Sequence, residues 1–104
     1  MNDFLDLKGA SGVSYRFRIW PEHAAHLPVA GNYVVLKAGP DGFQVLLIGA
    51  TSNLSLARTD SAKVAQLGPT HVFTRLNVAR ATRLAEHEDL VAGHQPVQVS
   101  DGVS

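Results

Sequence analysis

Residues 31–53 read GNYVVLKAGPDGFQVLLIGATSN, and this stretch predicts two strands joined by a tight turn. The first segment, 32–38, contains an apolar run, and GPDG at 39–42 places proline, aspartate and glycine in an order typical of a chain reversal. The second segment, 43–50, carries an unbroken run of large apolar residues at 45–48. An apolar run without alternation predicts a strand that is covered on both faces, so we expect 43–50 near the centre of a sheet.

The segments on either side extend this hairpin into a mixed pattern. Upstream, VSYRFRIW at 13–20 alternates large apolar with polar residues, which predicts a half-buried strand. Downstream, the side-chain oxygens of residues 51–53 and the terminating Gly68 delimit short helices. The alternation at 70–78 predicts a further strand, and 79–94 is rich in helix-forming residues. We therefore predict an α+β fold: a small, mainly antiparallel sheet of three central strands plus an N-terminal strand, flanked by helices.

Composition sets limits on function. The chain has 104 residues, enough for one domain with a modest core, and it contains no cysteine, which excludes disulfides and thiolate metal sites. The start lacks the basic and apolar regions of a signal peptide, and no apolar run approaches the roughly 20 residues that cross a bilayer. We expect a soluble, cytoplasmic protein that does not bind membranes.

Charge argues against a strong general affinity for nucleic acid, because nine basic residues balance nine acidic ones. A local patch remains an alternative if several arginines converge in the fold. The arginines in question are Arg16, Arg18, Arg58, Arg75, Arg80 and Arg83. The partner is therefore expected to be nucleic acid bound through such a patch, or another protein. The strand at 13–20 is a second candidate contact, because at a sheet edge it could pair with another chain.

The ends of the hairpin carry a pair of motifs. Gly31-Asn32-Tyr33 opens the first strand, Leu47-Ile48-Gly49 closes the second, and TSNL at 51–54 opens a helix. This ordered set, followed by helix, strand and a long helix ending in LVAGHQP, resembles the GIY-YIG nuclease superfamily. The resemblance covers 31–97 as a GIY-YIG-like domain, with 1–30 as an N-terminal strand extension and 98–104 as a tail.

The resemblance implies a phosphodiester-cutting site with one divalent metal, Mg²⁺ or Mn²⁺. Such a site places a tyrosine near the attacking water, an arginine on the phosphate and a glutamate on the metal. Tyr33 matches the first tyrosine, but the second tyrosine position holds Leu47, which has no hydroxyl. The arginine position holds Ala57, and Arg58 follows it one place later, about 100° further around a helix.

The long helix departs from the family pattern as well. The glutamate position is occupied by His87, with Glu86 and Glu88 on either side of it, and the asparagine expected after the proline is replaced by Val99. His87 and Glu88 are nevertheless the candidate metal ligands, because imidazole and carboxylate groups both bind divalent metals.

Two functions follow from this comparison. The first is a non-catalytic binding or interaction module that uses the former active-site face as a groove. The second is a metal-dependent endonuclease with a rearranged site, whose catalytic residues would be Tyr33, Arg58 and His87. We prefer the first, because only Tyr33 is retained among the family's principal chemical positions.

Overall fold

The hairpin predicted from residues 31–53 lies within a six-stranded sheet in the computed structural model, which describes residues 2–100 of the chain. The strands are β1 Phe4–Lys8, β2 Ser14–Ile19, β3 Gly31–Gly39, β4 Gly42–Thr51, β5 His71–Leu76 and β6 Gln98–Ser100. The helices are α1 Ala57–Ser61 and α2 Arg80–His94, and 3-10 helices at Leu54–Leu56 and Ala62–Leu67 flank α1. The predicted α+β class is confirmed, and β1 and β6 add two strands to the predicted four.

The strands follow the order β1-β2-β5-β3-β4-β6 across the sheet. Neighbouring strands are antiparallel, except that β6 runs parallel to β4. The expectation that the strand at 13–20 lies at an edge is wrong, because β2 pairs with β1 on one side and with β5 on the other. The edge position belongs to β1. The predicted tail contributes β6 at its start, and residues 101–104 lie outside the described part.

Two layers of helix cover the two faces of the sheet. We call the side covered by residues 54–67 the short-helix face and the side covered by α2 the long-helix face. Alternation along β3 divides its side chains between them, with Tyr33 and Val35 in the short-helix cluster and Val34 and Leu36 in the long-helix cluster. Each face therefore has its own apolar core.

A β-bulge in β4 modifies this alternation. The register between β3 and β4 shifts between Val35 and Leu36, so that Val35 faces Leu47 while Leu36 faces Val45. Leu46 is the additional residue, and both Leu46 and Leu47 belong to the short-helix cluster. The hydroxyl-free position of the second motif is thus a core leucine.

The short helices end as the sequence predicts. Gly68 adopts a left-handed conformation with φ of 75°, which suits a residue without a Cβ at a helix C-terminus. Within this segment the backbone at Val64 departs from helical geometry and divides the 3-10 helix Ala62–Leu67. Within residues 2–100, no helix has the length and apolar character needed to cross a membrane.

Candidate functional site

Tyr33 is in the interior of the short-helix face rather than in a cleft. Its side chain is 0% exposed, and its ring lies against Gly49, its direct partner on β4. The hydroxyl donates a hydrogen bond to Asp60 Oδ2 at 2.7 Å. Burial raises the pKa of the Tyr33 phenol far above its ordinary value, and the Asp60 carboxylate raises it further. Tyr33 thus stays protonated as a hydrogen-bond donor.

This packing also explains the two glycines of the motif pair. A Cβ at Gly49 would overlap the Tyr33 ring, and a Cβ at Gly31 would overlap the backbone carbonyl of Arg75 on β5 and the Leu54 side chain at 2.6 Å. Both positions therefore require glycine because another part of the chain approaches the backbone closely. The motif residues act here as packing elements of the sheet.

Arg58 lies on the same side of the sheet as Tyr33, but its guanidinium is bound elsewhere. One terminal nitrogen, Nη2, donates to the carbonyl oxygens of Trp20 at 2.8 Å and Pro21 at 2.9 Å. The guanidinium carbon also lies 4.3 Å from the centre of the Trp20 ring, within the range of a cation–π interaction. Arg58 thus holds the end of β2 and the segment after it in place.

His87 and Glu88 belong to α2, on the other side of the sheet from Tyr33. His87 is 5% exposed, whereas its neighbour Glu88 is exposed to solvent. Consecutive helix residues are turned by about 100°, so these two side chains leave α2 in different directions. Within residues 2–100, no group of three or more His, Cys, Asp or Glu residues is arranged to hold a metal ion. The structure therefore does not bring Tyr33, Arg58 and His87 together.

Most of the arginines are bound to other parts of the chain. Arg75 Nε pairs with Glu86 Oε1 at 2.9 Å, and Arg83 is buried with its guanidinium donating to the carbonyl oxygens of residues 77 and 78. Arg16 pairs with Asp6 through two nitrogens, at 2.9 and 3.1 Å. The six arginines do not form one patch, because they are divided between the two faces.

A cavity opens on the short-helix face, beside the area that residues 54–67 cover. It has a volume of about 520 Å³, with β2, the start of β1 and the end of β5 as its floor and the segment 20–27 as its wall. We call it the Arg18 groove. Residues that characterise its lining are Phe4, Arg18, Trp20, His26, Leu27 and Leu76.

The floor of the groove follows from strand alternation. In β2, Tyr15 and Phe17 belong to the long-helix cluster, so that Arg16 and Arg18 project from the opposite face. The register places Phe4 on β1 and Thr74 on β5 directly opposite Arg18, one on each side. A row of cross-strand neighbours therefore presents an aromatic ring, a guanidinium and a hydroxyl toward the segment 20–27.

The wall is an irregular segment held by specific contacts. Prolines at 21 and 28 prevent a longer helix there. Trp20 Nε1 donates to the carbonyl oxygen of Ala24 at 2.8 Å, and the Trp20 and His26 rings meet edge to face at 5.0 Å. His26 Nε2 lies 2.8 Å from the Thr74 hydroxyl oxygen, which fixes the wall to the floor. Without these contacts the groove would lose one side.

Arg18 differs from the other cations that line the groove. Arg16 is paired with Asp6 and Arg75 with Glu86. In the described part of the chain, Arg18 makes neither an ion pair nor a side-chain hydrogen bond. The one acidic residue of the lining is Asp3, which makes no ion pair within residues 2–100. Arg18 is therefore the lining guanidinium that is available to a ligand.

A buried polar network stabilises the start of α2, and apart from the asparagine of the first motif no sequence pattern indicated it. Asn32, which is 0% exposed, donates to the Arg83 carbonyl oxygen at 3.0 Å and accepts from Asn77 at 2.9 Å. Asn77 also donates to Glu86 Oε1 at 3.0 Å. The middle residue of the Gly-Asn-Tyr motif thus joins β3 to α2.

Asp89 forms a second unpredicted cluster, at the turn between β1 and β2. Its carboxylate accepts hydrogen bonds from the Ser11 backbone nitrogen at 2.8 Å, the Ser11 hydroxyl at 2.6 Å and the Tyr15 hydroxyl at 2.7 Å. The hydrogen bond from the Ser11 hydroxyl is the main reason that the pKa of Asp89 is below its ordinary value. The turn between β1 and β2 therefore covers Asp89, a contact between distant residues that the pattern of α2 alone does not indicate.

The chain was compared with known proteins at three levels, and no protein-family model, curated protein or solved structure matched it. The GIY-YIG relationship therefore stays a prediction from the sequence motifs.

Proposed function

We propose that this protein is a non-catalytic binding module whose ligand site is the Arg18 groove. The observation that carries the proposal is the pairing of a formed cavity of about 520 Å³ with a lining arginine that has no partner within residues 2–100. Small-molecule sites in proteins are clefts of about 300–1,000 Å³ with apolar walls and a few placed polar groups. The Arg18 groove has this size and this composition.

The placement of the former catalytic positions supports binding over cleavage. A nuclease site needs its tyrosine, arginine and metal ligand around one phosphate. Tyr33 is buried with its hydroxyl on Asp60, Arg58 is bound to Trp20 and Pro21, and His87 is on α2 across the sheet. The motifs predicted a groove at the family's active-site positions. The Arg18 groove lies beside those positions and not over them.

The first experiment tests cleavage. Single- and double-stranded DNA and RNA are incubated with the protein in Mg²⁺ and in Mn²⁺, with the Tyr33→Phe and His87→Ala variants in parallel. We expect no cleavage by any of the three proteins. Cutting by the wild type that disappears in both variants would overturn the proposal in favour of the endonuclease.

The second experiment locates binding. A library of small neutral, cationic and anionic fragments is titrated into the labelled protein, and backbone amide shifts are followed by NMR. We expect the largest shifts at the groove, in residues 16–20, 24–27 and 74–76. Fragments that shift only amides elsewhere, or none at all, would contradict a binding role for the groove.

A further inference from the structure

We infer that the Arg18 groove takes a small organic monoanion, with a carboxylate on the Arg18 guanidinium and an apolar group against Phe4, Leu27 and Leu76. This inference rests on the proposed function, because it names the ligand class of the same groove.

The charges in the groove favour one anionic group. Three arginines line it, and the Asp6 and Glu86 carboxylates already neutralise two of them, Arg16 and Arg75. Arg18 and the Asp3 carboxylate are the lining charges that make no ion pair within residues 2–100, and a guanidinium matches the two oxygens of a carboxylate ligand with parallel hydrogen bonds. A neutral or cationic ligand would not form this two-bond pair with the Arg18 guanidinium.

The apolar part of the lining indicates that the ligand also has an apolar group. Phe4 is 50% exposed, Leu27 62% and Leu76 57%, and all three line the groove that contains Arg18. Large apolar side chains exposed singly are ordinary, but three around one cavity form a surface that an apolar ligand would remove from water. The ligand is therefore amphiphilic, with its charge and its apolar group close together.

The same charge count argues against a polyanion. Nucleic acid binding depends on several cations that neutralise successive phosphates, and it falls steeply with salt. The groove offers one uncommitted guanidinium, the net charge of the chain is zero, and Arg58 and Arg83 are bound to backbone carbonyl groups. A single carboxylate matches the one uncommitted guanidinium of the groove.

The test uses three matched probes with the same aromatic group: 4-phenylbutyrate, 4-phenylbutanol and 4-phenylbutylamine. Each is titrated into the full chain by NMR, and the dissociation constant is taken from the groove amides. We expect the carboxylate to bind roughly tenfold more tightly than the alcohol, because a hydrogen-bonded charge pair typically contributes an effect of that size. The amine should bind most weakly.

Variants assign the preference to Arg18. Arg18→Gln should bring the carboxylate and alcohol affinities to about the same value, and Arg18→Lys should keep part of the preference because the charge remains. Arg80→Gln, at an exposed arginine on α2, is the matched control and should leave the ratio unchanged. Leu27→Asn should weaken the carboxylate and the alcohol together, because it removes apolar contact shared by both.

The outcomes separate this inference from the proposed function. If the alcohol or the amine shifts the groove amides as strongly as the carboxylate, the groove binds ligands but the monoanion inference is wrong. If the carboxylate preference survives in Arg18→Gln, the inference is also wrong. If an oligothymidine displaces 4-phenylbutyrate at physiological salt, the groove is a polyanion site and the monoanion inference is wrong. If no probe or fragment shifts the groove amides, both proposals fail.

Discussion

Replacing Gly49 with alanine tests whether the motif pair serves packing. Gly49 and Tyr33 are direct partners across β3 and β4, and a Cβ added at Gly49 would overlap the ring and hydroxyl of Tyr33. The Tyr33 side chain is 0% exposed and its hydroxyl is bound to Asp60, so the ring has no free space to move into. The added methyl group must therefore be accommodated by displacing the core.

The size of the effect follows from this overlap. Overpacking a filled core typically costs about 1–3 kcal/mol, and this contact involves a ring rather than the end of a flexible side chain. We expect Gly49→Ala to lower the free energy of unfolding by about 2 kcal/mol. For a domain of this length, that loss lowers Tm by roughly 8 to 16 °C.

The assay is thermal and urea unfolding followed by circular dichroism, with Gly39→Ala as the matched control. Gly39 is also at a hairpin position in β3, but the nearest atom to an added Cβ is the Gly42 carbonyl oxygen at 3.9 Å. The control carries the general effect of replacing a strand glycine without the overlap. We therefore expect Gly39→Ala to change Tm little.

A double-mutant cycle identifies Tyr33 as the cause. In a Tyr33→Leu background the ring is absent, so Gly49→Ala should cost much less, with a coupling energy of about 1–2 kcal/mol. Equal effects of Gly49→Ala in both backgrounds would refute the argument. A Gly49→Ala protein as stable as the Gly39→Ala control would refute it as well.

Three further predictions concern contacts that the sequence did not indicate. Hydrogen bonds hold the folded-state pKa of Asp89 below its ordinary value of 3.8, so this carboxylate stabilises the fold at a pH above 3.8, and the contribution is lost as the pH falls through the lower folded-state pKa. Asp89→Asn should therefore be less stable than wild type at about pH 6 in chemical unfolding, and the difference should shrink on acidification below 3.8. A difference that grows on acidification would contradict this. Asn32→Leu should lower the free energy of unfolding by about 1–3 kcal/mol in urea titrations, because it leaves buried polar partners unsatisfied. An unchanged urea midpoint would show that the network contributes nothing to stability. Arg58→Gln should loosen the segment 20–27, so that amide hydrogen exchange becomes faster there and not in α2. Faster exchange throughout the protein would indicate global destabilisation instead.

Local sequence patterns were sufficient for most of the elements. Alternation at 13–20 and 70–78, the turn residues at 39–42 and the helix-forming run at 79–94 correspond to β2, β5, the hairpin turn and α2. These features depend on interactions between residues close in the chain, such as helix propensity, turn geometry and side-chain direction.

The positions of β1, β2 and β6 in the sheet could not be obtained in this way. The pairing of β2 with β5 joins residues more than fifty positions apart, and its neighbour β1 excludes it from the edge. The parallel pairing of the three-residue β6 with β4 likewise depends on a distant strand. Such pairings are decided by which surfaces remain to be covered after the core forms, and single-strand patterns do not contain that information.

The candidate site shows the same division. The amino-acid sequence places Tyr33 and its glycine partners at the motif positions, and it has Leu47, which carries no hydroxyl, where the resemblance predicts a second tyrosine. The fold then encloses Tyr33 against Gly49 and brings Arg18, on a strand outside the motifs, to the open groove. These outcomes follow because exposure and charge pairing depend on neighbours from other strands: Asp6 on β1 neutralises Arg16, while Phe4 and Thr74 beside Arg18 carry no charge to pair with it.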